Sequence, residues 1–154
     1  MIERETDVLI RTVVAVSALA VGLTAATAQQ DPIATRKALM KANGQQAALA
    51  AKMIKGEEPF DLVKAKAVFA TFQDAAAKMP ALFPDNSKTG GDTAADPKIW
   101  TSMDDVKAKF AKLGADAKDA EASVKDLDSL KAAFGTVGKN CGACHETYRV
   151  KKNS

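Results

Sequence analysis

One histidine, one tryptophan and one tyrosine stand in a chain of 154 residues, beside two cysteines and six phenylalanines. Each scarcity closes off a class of chemistry. A lone histidine leaves no second imidazole for acid–base relay, and no Ser, His, Asp grouping supplies an activated nucleophile. Two cysteines and one histidine fall short of the four protein ligands that a structural zinc site takes. No apolar run reaches the roughly 20 residues that span a bilayer. Alternating apolar and polar stretches, the mark of half-buried strands, are missing, and no segment repeats. Charge of one sign is lacking as well: 22 Lys and Arg against 19 Asp and Glu leave a formal net charge of +3. That is too small and too evenly mixed to argue for nucleic acid, though it permits a weakly acidic partner.

Alanine is plentiful instead. The chain is 47% hydrophobic but only 5% aromatic, a bias that favours helices because Ala costs least there. Its length suits one domain with a real core. Thr12 to Leu23 form an apolar stretch behind Arg11, followed by the small-x-small run Ala26-Thr27-Ala28, which reads as a secretory signal cleaved after Ala28. Residues 1–28 are therefore expected to be removed, leaving 29–154 as the exported domain with no membrane anchor. Glu3, Glu5 and Asp7 make the leader unusually acidic, which a translation start placed too early would explain. Cleavage removes those three carboxylates with Arg4 and Arg11, so the net charge rises from +3 to +4.

Four helical segments follow. Asp31-Pro32 is a capping side chain with Pro in the first turn, and the helix should run to Lys55 and stop at Gly56. A second is expected from near Pro59, with Glu57 and Glu58 at its positive end; Leu62, Ala65, Phe69, Phe72, Ala76 and Met79 mark its inward stripe. Residues 81–98, with Pro84, Asn86, Gly90, Gly91 and Pro97, form a crossover loop whose Ile99 and Trp100 pack back on the bundle. The third helix starts near Ser102 and buries Val106, Phe110, Leu113, Ala117, Ala120 and Val124. The fourth starts around Asp126 to Asp128, with Leu127, Leu130, Phe134, Val137, Cys141, Cys144 and Tyr148 on one face. Four amphipathic helices predict an all-α, antiparallel four-helix bundle.

Both cysteines and the histidine fall within Cys141-Gly142-Ala143-Cys144-His145. C-x-x-C-H is the attachment signature of c-type haem. Residues three apart share a helix face, so both thiols can add to the two vinyl groups of one porphyrin, and the adjacent imidazole becomes the proximal iron ligand. A thioredoxin-like pair would need a βαβ context that is not there, and a plain disulfide leaves His145 unexplained. The cysteines continue the fourth helix's inward stripe, which places the haem against the bundle interior. Attachment of c-type haem outside the bacterial cytoplasm agrees with an exported, periplasmic chain.

The mature chain resembles the class II c-type cytochromes, that is cytochrome c′ and its low-spin relative cytochrome c-556. The resemblance rests on Arg36 with Leu39-Met40-Lys41, on Leu82-Phe83-Pro84, on Pro97-Lys98-Ile99-Trp100, and on Leu130 to Phe134 leading into the haem motif. The motif's position, with nine residues after His145, sets it apart from class I cytochromes. The resemblance implies an up-down-up-down bundle with one covalent haem c at one end, Arg36 and Arg149 near it, and frequent dimers. Arg149 also suits the negative end of the last helix.

Within this family the sixth iron ligand separates two functions. An open distal site gives a high-spin iron that binds NO or CO. A methionine from the first helix gives a low-spin electron carrier, as in the c-556 branch. Met40 lies on the half of the first helix that an antiparallel bundle brings to the haem, and its Leu-Met-Lys-x-Asn-Gly setting is closer to that branch. Met53 falls at the far end; Met79 and Met103 reach the haem end only at helix boundaries. Methionine is also a common core filler, so both outcomes stand. The leading expectation is a periplasmic one-electron carrier, not an enzyme, with His145 and Met40 on iron and redox proteins as partners. The alternative is a five-coordinate protein for gas binding or NO detoxification.

Overall fold

Asp31 and Pro32 start the first helix as their chemistry dictates. The Asp31 carboxylate accepts a hydrogen bond from Ile33 N at 2.9 Å, and Pro at the first position sacrifices no intrahelical donor. The computed structural model describes residues 31–151; the leader assigned to residues 1–28 lies outside them. Helix α1 spans Pro32–Lys55 and ends at Gly56, whose φ of 75° is left-handed, a conformation that costs glycine least.

Helix α2 spans Leu62–Lys78 and begins three residues later than the sequence suggests. Pro59 has no side chain that caps, whereas Asp61 accepts from Lys64 N at 3.0 Å. Glu57 and Glu58 consequently lie in the connecting turn and not in the first helical turn. Pro80 converts the chain after α2 into a short 3₁₀ turn, Met79–Leu82, and a second such turn covers Asp85–Ser87. A one-turn helix α3, Lys98–Thr101, holds Ile99 at 4% exposure and leads into α4, Met103–Ser123. Helix α5, Leu127–Tyr148, opens with a reciprocal box: Asp126 accepts from Ser129 N at 2.8 Å while the Ser129 hydroxyl accepts from Asp126 N.

These elements form a four-helix bundle. Helix α2 packs mainly on α4, α4 on α5, and α1 on α2, while α1 and α5 make the thinnest of the four seams between neighbouring long helices. The inward stripe of α4 is buried at every expected position, Val106 through Val124. On α2 the stripe also takes in Val68 and Ala75. Leu62 and Leu127, expected on stripes, stay about two-fifths exposed (39% and 38%), because each stands in the first turn of its helix, where few neighbours lie beyond it.

One contact has no counterpart in the sequence pattern. The loop segment Ala94 to Asp96 pairs with the chain leaving α5: Asp96 N donates to Tyr148 O and Val150 N to Ala94 O, both at 2.9 Å. Ala95 and Arg149 thereby form an isolated antiparallel bridge. A two-residue pairing is too short to show an alternating pattern.

Candidate functional site

The thin seam between α1 and α5 opens into a cleft of about 720 Å³. Its walls are mostly apolar: Phe72 from α2, Met79 and Phe83 from the chain after it, Val106, Phe110 and Leu113 from α4, and Phe134 from α5. Helix α1 contributes Arg36, Met40, Asn43 and Ala47. Cys141, Cys144, His145, Tyr148 and Arg149 line the opposite side. The structure thus brings together Arg36, Met40, Cys141, Cys144, His145 and Arg149 around one cleft.

Cys141 and Cys144 are free, half-buried thiols one turn apart on α5. Burial pushes both thiol pKa values up; at Cys144 Lys109 opposes this, while Cys141 and Asp105 add to it. His145 borders the cleft and also a smaller hollow of about 440 Å³ beneath Ala94, Glu146, Arg149 and Val150. Desolvation, with the Arg149 charge adding to it, holds its imidazole below the ordinary pKa. Both effects favour the neutral ring that ligates metals.

Of the methionines among the described residues, Met40 and Met79 reach the cleft, while Met53 and Met103 do not line it. Met79 is 1% exposed and embedded in the core; Met40 is half-buried. One turn beyond Met40, Asn43 Oδ1 is buried without a hydrogen-bond partner, which ordinarily costs about 1–3 kcal/mol.

Arg36 does more than approach the cleft. It is 6% exposed and clamps the crossover loop to α1. Its guanidinium donates to Leu82 O, to Ser87 Oγ at 2.9 Å and Ser87 O at 3.0 Å, and to Thr93 Oγ1 at 3.3 Å. It also lies 4.7 Å above the Phe83 ring and 5.8 Å from that of Trp100. Trp100, as expected, packs back, edge-on to Phe83 with its indole N–H on Pro84 O.

Two side-chain bonds, invisible to local pattern, bracket the C-x-x-C-H segment. Asn140 Nδ2 donates to Asp116 Oδ2 at 2.7 Å, and the Tyr148 hydroxyl donates to Asp105 Oδ2 at 2.6 Å. Their partners lie 24 and 43 residues away on α4, so no local sequence signal reports them.

The cleft fits a haem and does not fit a bare metal ion. No group of three or more His, Cys, Asp or Glu side chains among the described residues is placed to hold a cation. An apolar slot of this volume, with two thiols on one wall, suits a flat organic group. Lys37, Lys41, Lys109 and Arg149 at its edges suit that group's carboxylates.

A helical bundle enclosing such a slot beside C-x-x-C-H defines a covalent haem protein. The match to known proteins gives the particular family: a model described as Cytochrome C' covers residues 31–149, and the chain belongs to that family. A cytochrome c′ of Rhodopseudomonas palustris is 48% identical over 128 residues, covering 83% of this chain and 88% of that protein. A cytochrome c-556 of Agrobacterium tumefaciens is 44% identical over 118 residues, 76% of this chain and 95% of the relative. The solved structure of cytochrome c′ from R. palustris superposes with a TM-score of 0.78 at 47% identity, covering 81% of this chain and all of that one (100%). The chain is accordingly a haem c protein, an electron carrier or gas-binding cytochrome.

Proposed function

We propose that this chain is a periplasmic one-electron carrier, not an enzyme, with Cys141 and Cys144 as thioether anchors, His145 as proximal ligand and Met40 as distal ligand. The observation that carries the reading is the position of Met40, a half-buried methionine of α1 that lines the same cleft as Cys141, Cys144 and His145. Met79 is a poorer candidate because it is enclosed in the core at 1% exposure. Bound in this cleft, the haem supplies a one-electron couple, and a His/Met ligand set raises its potential. The polypeptide holds the ring between apolar walls, keeps the His145 imidazole neutral and offers cations at the mouth. Arg36 and Arg149 act beside the haem, the first through the loop it clamps and the second through the bridge to Ala95.

Residues 1–28 act as a cleaved signal, and 29–154 form the exported haem domain. No described helix is long and apolar enough to cross a membrane. Its partners are redox proteins of the periplasm, with a second copy of the chain as a further partner; nucleic acid and membrane are not among them.

The absorption spectrum of the purified ferric protein tests the axial assignment. Low-spin bands with the far-red methionine–iron charge-transfer band are expected, and Met40→Ala should turn the protein high-spin and open it to CO. A high-spin wild-type spectrum rules out Met40 ligation and supports the second reading, a five-coordinate NO- or CO-binding protein. That reading is favoured by the 48% identity over 128 residues to a cytochrome c′.

A further inference from the structure

Asp105, in the first turn of α4, is not itself a cleft residue, yet both groups that shield it are. The Tyr148 hydroxyl donates to Asp105 Oδ2 at 2.6 Å, and Lys109 Nζ lies 3.8 Å from the same oxygen. Tyr148 is 7% exposed, and it lines the cleft together with Lys109 and Cys144. A carboxylate thus stands one side chain away from the slot, with a neutral donor and a cation between it and the interior. Its own side chain is 54% exposed, so solvent screens it but does not erase its field.

We propose that Asp105 is a potential-setting carboxylate whose influence on the haem is held down by Tyr148 and Lys109. The physical reason is the charge difference between the two oxidation states. Ferric haem carries one more positive charge than ferrous, so a fixed negative charge favours the ferric form. Donors and cations that neutralise that charge favour the ferrous form. Tyr148 therefore has a second use beyond closing the end of α5. The inference rests on the haem occupying this cleft and is independent of whether Met40 ligates.

The test uses holoproteins poised with the same mediators at one fixed ambient potential, with the ferrous-to-ferric ratio read from absorption. Asp105→Asn, which removes the charge, should raise the ratio about threefold (roughly 28 mV for one electron). Tyr148→Phe, which keeps the ring but frees the carboxylate, should lower it about twofold. Asp105→Ala, which removes the same charge without leaving an amide, should also raise it, and serves if Asp105→Asn does not fold. A purely structural bond would move Asp105→Asn and Tyr148→Phe in the same direction. Shifts of equal sign, no shift in either, or a change of spin state in Tyr148→Phe would each overturn the proposal. The wild-type spectrum alone bears on Met40, so the two readings fail separately.

Discussion

Arg36 carries a buried charge that forms no salt bridge with a carboxylate among the described residues. Burial pushes its pKa down and the Asp31 charge partly opposes this; the cation is satisfied instead by carbonyl and hydroxyl oxygens of the loop. Replacing it with Leu leaves Ser87 O and Leu82 O without their donor, so Arg36→Leu should destabilise the holoprotein by about 2–4 kcal/mol in urea denaturation. Arg36→Lys keeps the charge but not the planar fork, and should recover less than half of that loss. If the Leu variant unfolds at the wild-type urea concentration, the clamp carries no stability. The sequence marked Arg36 only through family likeness. Its partners sit 46 to 57 residues away, and a side chain that bonds to loop carbonyls leaves no periodic trace. The Cys141 to His145 site was readable because its chemistry is local: the spacing alone places both thiols on one face.

Among the helices, ends set by a capping residue were the readable ones. Asp31, Gly56 and Asp126 act where their chemistry says, whereas Pro59 misled because φ restriction is not a cap and Asp61 supplies one. The cap of α5 also makes stability depend on pH. The Ser129 hydroxyl and backbone N–H hold the Asp126 carboxyl below its ordinary pKa, and the Asn140 amide, followed by Lys112, does the same for Asp116. For a group whose pKa is lower folded than unfolded, the folded state gains while the carboxylate is charged. That gain is complete above the unfolded value of about 4 and is lost as pH falls through the folded one. Asp126→Asn keeps a capping side chain but cannot titrate. Its thermal midpoint should therefore fall less than that of the wild type between pH 5 and pH 2, as followed by circular dichroism. Parallel curves would remove Asp126 from the acid response. The strap from Ala94 to Asp96 belongs to the same scale and was unreadable, since a single bridge has no pattern.

Across the whole molecule the helices do not share the load evenly. Phe69, Val68 and Leu130 are fully buried (0% exposed) and Leu113 nearly so at 8%, in a core built on the close packing of α2, α4 and α5. Helix α1 closes the bundle over the cleft and has little direct contact with α5. The sequence foretold four helices and their inward faces, because periodicity records which face is buried. It did not foretell this unequal packing, which depends on what fills the slot. If the covalent haem is the filling between α1 and the rest, a full-length Cys141→Ala/Cys144→Ala chain that cannot retain it should loosen at one seam and not everywhere. Amides in the N-terminal half of α1, around Arg36 to Asn43, should exchange with solvent roughly tenfold faster or more, a local loss of about 1.4 kcal/mol. Amides in the middle of α2 and α4 should keep most of their protection, because these helices also pack through Val68, Phe69 and Ala117, which are fully buried and do not line the cleft. Hydrogen exchange on the holoprotein and the double variant reads this directly. An equal loss of protection in α1, α2 and α4 would mean that the bundle opens as one unit and that the haem braces the whole core.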